Sequence, residues 1–529
     1  MRDIVSAFDW SVAEIERALE LGRKFYLARL GKGPWPEDEV MKACSRFSGR
    51  PKVTRFFAEP SGRTDGSYGR ASELLPVQPC SLPPAEWTSM AKNESLARTV
   101  VTVAQQGAQV IVQRTPWKGS GRFGVEILYK YGYAVATHCG GDGSNQHGSQ
   151  GLLDTLTIQL VLPDEVIRTG RLRLGVVGDL FYSRVLHSTI PVLAKLFPGL
   201  EVFAVSEPET RLNPRFCCGV PFHESNSMTL LKKARPHIVI VTRVQVERFH
   251  DKTQAAAIAR KHRMDGELLE YLTWRAYGRD FPLVMHPQPI ANNEVDSRIL
   301  QHPQVIIDFQ AERGIDYRMA GLIRSLQLLD QDPIVFTPSP AILEVIRRKG
   351  LTEHYRAMLK NKGQSVHPID NGYVFDHLYP GFSEKIVMIF RAMGWLKPDF
   401  DPEHPVVPAV GLASKTMGVK DRLSIVTRKD LPPEALNLVR ILCPEATVNR
   451  MDGSWATKFK VRAPRFFRGI NCPDPECISS KDREYEARHP VFRSSDRGRI
   501  VQCCYCEGVF LPDIWRRHNG LERPRKRRF

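Results

Sequence analysis

Leu174-Gly175-Val176-Val177-Gly178 reads as a buried strand, and the order of what surrounds it sets the fold. A helix is expected over 184–196, and Val202–Val205, His237–Val241 and Leu283–His286 repeat the apolar pattern. Upstream, from 53 to about 165, a helix over 94–106 precedes a strand-like run at Val110–Gln113. A second run, Tyr133–Thr137, is followed by a glycine-rich turn and a helix from near Gly151. Such alternation builds parallel βαβ units, so the first 330 residues read as two doubly wound α/β domains. An amphipathic helix over 10–30, with Asp9 as its capping candidate, precedes them, and a helix over 310–329 closes the second block.

Beyond 330 the pattern changes. Residues 331–365 read as a connector in which Thr337-Pro338-Ser339-Pro340 opens a helical segment, 341–361. From 366 short strands and turns take over, with Val406–Leu412, Leu423–Val426 and a helix over 432–441, and 466–512 is β-like. The segment Gly119-Ser120-Gly121-Arg122-Phe123-Gly124 imitates a nucleotide loop but lacks a strand–loop–helix context and reads as a turn. With 529 residues, 42% apolar and 25% charged, the chain has the balance of a multidomain soluble protein. It has no apolar run of membrane-spanning length and no signal-peptide block, so no membrane partner is expected and the cytoplasm is the default location. The net charge of +17 fits an anionic partner, or simply a basic surface with a solvated tail at Arg523–Arg528.

Four segments gather groups suited to anionic ligands. Glu59-Pro60-Ser61-Gly62-Arg63-Thr64 would cradle a phosphate if a helix starts there, although an ordinary capped helix looks similar. Gly143-Ser144-Asn145-Gln146-His147-Gly148-Ser149-Gln150 places His147 and Gln150 at strand carboxyl ends, or is a capped turn with a surface histidine. Gly178-Asp179-Leu180-Phe181-Tyr182-Ser183-Arg184 and Thr242-Arg243-Val244-Gln245 each set an arginine after a strand. Either arginine alone would be a loop charge; beside a phosphate cradle they suit carboxylates.

In order and spacing these segments resemble aspartate carbamoyltransferase over roughly 55–325. Thr88-Ser89-Met90-Ala91-Lys92-Asn93-Glu94, Arg114, Met285-His286-Pro287-Gln288-Pro289, Gln310-Ala311-Glu312-Arg313-Gly314 and Arg318 support the match. The resemblance implies a carbamoyltransferase-type fold, with carbamoyl-phosphate-binding (1–165) and aspartate-binding (166–330) domains, and a reaction without a catalytic metal. Carbamoyl phosphate would meet Ser61, Arg63, Thr64 and Arg114. Arg63, Thr64 and His147 would polarise the carbamoyl oxygen, and Gln150 and the carbonyl of Gln288 would hold the amide. The carboxylates of L-aspartate would meet Arg184, Arg243, Gln245 and Lys92. Ser89 and Lys92 would come from an adjacent subunit, which implies a homotrimer or a higher homo-oligomer. Glu59, Arg184 and Arg248 match the trio that locks domain closure. Three departures stand out: Gly62 in the cradle, Gly148-Ser149 after His147, where the turn is expected to loosen, and Gln288-Pro289-Ile290 beside both substrates.

Cys472-Pro473-Asp474-Pro475-Glu476-Cys477 and Cys503-Cys504-Tyr505-Cys506 suit a closed tetrahedral Zn²⁺ site with a structural role. Cys503 is preferred to Cys504 because two intervening residues let both sulfurs converge. Residues 366–512 resemble the regulatory chain of the same enzyme, implying an α+β nucleotide-effector-like domain (366–465) and a small β zinc domain with the basic tail (466–529). Asp376, His377, Lys420 and Asn449 match positions for effectors such as CTP and ATP, while Ser424 and Phe459 replace lysines. The resulting expectation is an enzyme of pyrimidine biosynthesis under allosteric regulation. Its alternatives are a silent scaffold or an other-amine carbamoyltransferase, and nucleic acid is the disfavoured partner.

Overall fold

A computed structural model describes residues 2–83, 90, 93–245, 251–290, 294–350, 369–398, 401–402, 405–481 and 483–520. The chain divides into two compact units, Met1–Val335 and Phe336–Phe529.

The N-terminal unit carries two parallel sheets, as the alternation predicts. In the first, β1 (Lys52–Phe57), β2 (Gln78–Ser81), β3 (Ala108–Thr115) and β4 (Ala136–Asp142) lie in the order β2-β1-β3-β4. The second adds β5 (Arg173–Val177), β6 (Glu201–Val205), β7 (Phe222–Ser225) and β8 (Ile238–Val241). After a short hairpin of β9 (Trp274–Ala276) and β10 (Arg279–Phe281), β11 (Leu283–Met285) completes the order β11-β8-β5-β6-β7. Each order reverses once, between β1 and β3 and between β5 and β8, and such switch points leave a crevice at the strands' carboxyl ends. Glu59 and Arg114 stand at the first reversal, and Arg184 and Arg243 follow the strands of the second.

Several local expectations are corrected. The N-terminal helix, Val12–Arg29, is capped by Ser11, whose side chain and Glu14 form a capping box. Asp9 instead pairs with the buried Arg122. Of Tyr133–Thr137 only Ala136 and Thr137 are strand; the strand starts there and runs on to Asp142, through glycines that the sequence pattern assigns to a loop. Residues 119–124 do follow a strand, Ala108–Thr115, and open a helix: Gly119 precedes it and 120–124 are its first residues (Ser120–Lys130). At that helix start the Gly119 N–H is already taken by Asp142, which accepts it at 2.7 Å. Its glycines serve packing: a Cβ at Gly121 would lie 3.2 Å from Cys139, and one at Gly124 2.8 Å from Gln113.

The last helix of this unit spans Ile307–Gln327 and does more than close the second block. Ile307 packs in the core of the second sheet, whereas Met319, Leu322, Ile323 and Leu326 pack against Val53, Val110 and Val112 of the first. One helix thus serves both lobes.

In the C-terminal unit a six-stranded antiparallel sheet has the order β12-β17-β16-β13-β15-β14. Its strands are β12 (Leu343–Gly350), β13 (Asn371–Leu378), β14 (Val406–Ser414), β15 (Gly418–Val426), β16 (Thr447–Asp452) and β17 (Trp455–Val461). β12 overturns the helix expected from 341: the segment pairs along β17, from Leu343 opposite Val461 to Gly350 opposite Trp455. Its apolar residues have a partner edge that local periodicity does not reveal, and Leu343–Gly350 of the stretch read as connector belongs to this sheet. Residues 351–361 of that expected helix lie outside the described residues. A four-stranded sheet follows, β18 (Phe466–Arg468), β19 (Val491–Ser495), β20 (Ile500–Cys503) and β21 (Val509–Phe510), packed around Phe467, Phe492 and Trp515.

Candidate active site

The expected cradle is a helix start. Ser61 precedes the helix Gly62–Glu73 and no side chain caps it; the Ser61 hydroxyl donates to Thr64 Oγ1 at 3.1 Å. The first N–H groups and the positive dipole end therefore face a cavity of about 1090 Å³. Ser61, Arg63, Thr64, Arg114, His147, Gln150, Arg184, Arg243, Gln245 and Gln288 all line this one cavity, as does Glu59. Ser89, Lys92 and Arg248 lie outside the described residues.

Glu59 organises the cations. Its Oε1 accepts from Arg114 Nη2 and from Arg184 Nη2, each at 2.6 Å, and Oε2 accepts from Arg184 Nη1 at 3.3 Å. Burial opposes ionisation of this carboxyl, but Arg184 and Arg114 outweigh it and hold it below the usual carboxylate range. Arg114 also donates to the Gly140 carbonyl and Arg184 to that of Gly143. Burial and the nearby Arg184 bring Arg114 down to about 10, still cationic at neutral pH.

His147 is buried at the start of the helix Gly148–Val161. Burial, with Arg114, Arg184 and Arg318 nearby, pushes its pKa well below the usual value, so the imidazole is neutral and keeps one N–H to donate. The turn after it is filled rather than loosened. A Cβ on Gly148 would come 2.9 Å from the Trp10 ring, so glycine is what allows Trp10 to pack there.

The second switch point is set by Asp179, which accepts from the N–H groups of Tyr182 (3.1 Å) and Gln245 (3.3 Å) and so ties together the loops after β5 and β8. Gly178, at φ 110°, lets these loops close: a Cβ would stand 2.4 Å from the Thr242 carbonyl oxygen. Gln245 donates to the Tyr182 carbonyl at 2.8 Å. Burial, and after it Arg243 and Arg63, bring His286 down to about 4, so it is neutral.

Sequence reasoning assigns no role to Asp154, Tyr182, His286, Gln310 or Arg318. Arg318 is buried, lines the cavity and donates to Ser67 Oγ at 2.5 Å. Asp154 lies four residues after Gln150 on one helix, a spacing that could have exposed it.

In the C-terminal unit Cys472, Cys477, Cys503 and Cys506 are buried, with all four sulfurs within 4.8 Å of one another. Cys472 Sγ and Cys506 Sγ are 3.6 Å apart, close to the ~3.7 Å that tetrahedral bonds of about 2.3 Å to one ion would impose. The Gly508 N–H points at Cys506 Sγ (3.4 Å) and Ser479 Oγ lies 3.2 Å from Cys477 Sγ, contacts that steady thiolates. Cys504 stays outside the cluster, as its spacing predicts. On the six-stranded sheet Asp376 pairs with Lys420 at 2.7 Å and lies 3.3 Å from His377 Nδ1, and Asn449 donates to the Val374 carbonyl at 3.2 Å. Ser424 and Asn449 flank Val374 in register, and Lys458 is paired with Asn449. Among the described residues no helix is long and apolar enough to cross a membrane.

Residues 2–160 match the family model of the aspartate/ornithine carbamoyltransferase carbamoyl-P binding domain. Residues 364–462 match that of the aspartate carbamoyltransferase regulatory chain, allosteric domain. The aspartate carbamoyltransferase catalytic subunit of Thermococcus gammatolerans is 31% identical over 337 residues, 62% of this chain and 98% of that one. The corresponding subunit of Methanocaldococcus jannaschii is 30% identical over 332 residues, again 62% and 98%. A solved structure of the M. jannaschii catalytic subunit superposes with a TM-score of 0.51 at 29% identity, over 63% of this chain and 99% of that one. With nearly the whole length of such relatives accounted for, this chain belongs to the aspartate carbamoyltransferase family, with a catalytic-chain segment and a regulatory-chain segment in one polypeptide.

Proposed function

We propose that the N-terminal unit transfers the carbamoyl group of carbamoyl phosphate to the α-amine of L-aspartate, giving N-carbamoyl-L-aspartate and phosphate, as in pyrimidine biosynthesis. The observation that carries this reading is one cavity in which an uncapped helix start, a neutral buried histidine and the arginines of both switch points meet. The lobe of the first sheet takes carbamoyl phosphate and that of the second takes aspartate. The phosphate lies on Ser61, Arg63, Thr64 and Arg114. Arg63, Thr64 and the His147 N–H stabilise charge developing on the carbamoyl oxygen. Gln150 and the Gln288 carbonyl hold the carbamoyl amide. Arg184, Arg243, Gln245 and Lys92 receive the aspartate carboxylates. The amine nitrogen bonds to the carbonyl carbon, the carbon–oxygen bond to phosphate breaks, and an amine proton leaves with the phosphate. Holding both reactants in place contributes about 7–11 kcal/mol. Glu59 with Arg184 and Arg248 closes the two lobes.

The active species is a homotrimer or larger homo-oligomer, with Ser89 and Lys92 supplied by a neighbour. The four cysteines hold a structural Zn²⁺, which the spacing and burial of their sulfurs fit. Asp376, His377, Lys420 and Asn449 form the effector face for nucleotides such as CTP or ATP. The scaffold and other-amine alternatives gain no support from the relatives.

Phosphate release from carbamoyl phosphate tests the reading, with L-aspartate set against a panel of other amines. Turnover should need aspartate and fall about 10²–10³-fold in Arg63→Ala. Mixing Arg63→Ala with Lys92→Ala chains should restore activity if sites are shared between subunits. Release that does not depend on aspartate would sink the proposal.

A further inference from the structure

Asp154 is fully buried, and its three hydrogen-bond partners are all neutral. Oδ1 accepts from Gln150 Nε2 at 2.9 Å and from Gln310 Nε2 at 2.7 Å, and Oδ2 accepts from Thr189 Oγ1 at 3.1 Å. Leaving a carboxylate in such a place is costly, and an apolar residue would fill the volume more cheaply. A carboxylate differs from other fillers in one respect: when ionised it only accepts. It therefore dictates which end of a neighbouring amide turns toward it. Gln150 must present its NH₂ group inward, which leaves its carbonyl oxygen for the cavity that Gln150 lines.

The same oxygen fixes Gln310. With its NH₂ group on Asp154, Gln310 offers its carbonyl to the backbone N–H of His286 at 3.0 Å. His286 Nδ1 in turn accepts the N–H of Gln288 at 2.9 Å. One buried acceptor thus orders both sides of the cavity, the Gln150 amide directly and the Gln288 backbone through two relays.

We infer that Asp154 is a positioning residue that locks the Gln150 carbonyl toward the cavity, so that the site selects an acyl phosphate bearing an N–H donor over one that lacks it. The inference rests on the carbamoyl-transfer reading and adds the origin of its selectivity. A carbamoyl group supplies an N–H to that oxygen, whereas an acetyl group places a methyl there and strands it.

The test is binding of carbamoyl phosphate, acetyl phosphate and inorganic phosphate, by calorimetry, to wild type, Asp154→Ala and Asp154→Asn. Wild type should prefer carbamoyl to acetyl phosphate. In Asp154→Ala the Kd for carbamoyl phosphate should rise about tenfold, the worth of one hydrogen bond, with acetyl phosphate and phosphate within about twofold of wild type. Asp154→Asn, whose amide oxygen can still accept from both glutamines, should restore the preference. Equal weakening of all three ligands in Asp154→Ala would mark a merely structural role and overturn the inference, as would an unchanged preference. Asp154→Ser, too short to reach Gln150, makes the same measurement if the alanine variant does not fold. These readouts need no turnover, so a wild type that discriminates but shows no aspartate-dependent phosphate release would sink the proposed function, not this inference.

Discussion

The cavity of the N-terminal unit and the cysteine cluster of the C-terminal unit are electrostatic mirror images. One gathers guanidinium groups that repel each other, the other gathers sulfurs that repel as thiolates. In the cavity Glu59 and two backbone carbonyls hold Arg114 and Arg184, and the lining as a whole carries six arginines against two glutamates, a surplus of positive charge that suits an anionic ligand. The cluster brings four protein ligands to one point and leaves no open position, so a cation there holds structure and has no site for substrate. Charge balance is therefore not what separates them, since four thiolates around one Zn²⁺ would still carry a net charge of −2; what would mark the staple is coordinative saturation, and what marks the reactive site is a cationic cavity open to a ligand.

Chelating the Zn²⁺ proposed for the cluster is the strongest way to break this contrast. Chelation should abolish the cooperative melting of the lobe around Cys472–Cys506, since such sites supply an apparent ~10–16 kcal/mol in small zinc domains. Carbamoyl transfer by the remaining protein should stay within a few-fold of wild type, and elemental analysis should give one zinc per chain beforehand. Next in size is Glu59→Gln. It deprives Arg114 and Arg184 of their shared carboxylate, and as these groups are only partly shielded the loss should be roughly 1–3 kcal/mol. It should be read in kcat/KM at unchanged metal content.

Acid should also separate the two units, by a margin that grows with the depth of acidification. Burial lowers His138 and His187 to about 3 and His237 and His286 to about 4. Unfolded histidines titrate near 6.5, so below that pH the unfolded chain binds more protons and stability of the N-terminal unit falls. The loss grows by about 1.4 kcal/mol per pH unit per histidine until the folded value is reached. Asp3 and Asp154, raised by burial to about 6, act the other way, since between 6 and 3.8 the folded state holds the extra proton. Four groups against two leave a net loss from pH 6.5 to 4, visible as a falling Tm for the N-terminal unit. The smallest effect is expected of Gly62→Ala. A Cβ there meets nothing within 4 Å, so the reduced freedom of the unfolded chain should add about 0.4–1 kcal/mol of stability with kcat little changed.

The sequence makes legible what depends on neighbours along the chain. Arg184 and Arg243 follow apolar runs, and the rule that parallel sheets expose their carboxyl ends carries them to the cavity. The cysteine spacing likewise needs no knowledge of the fold. What fails depends on distant partners. Leu343–Gly350 has the composition of either element and becomes a strand because β17 offers an edge. The helix start at Ser120 is hidden because Asp142, which takes the Gly119 N–H just before it, lies 23 residues beyond Gly119. Gly148 reads as slack in the turn until Trp10 is seen against it. Asp154 is the one miss that periodicity alone could have prevented.

The strand Leu343–Gly350 has a practical consequence for anyone dissecting the polypeptide. It precedes residue 364, where the match to the regulatory-chain family begins, so a truncation designed from that match would discard it. The amides and carbonyls that β17 now spends on it would be bared, and naked borders of that sort invite sticking between molecules. A fragment begun ahead of Ile342 would spare the experimenter an artefact easily mistaken for natural self-assembly.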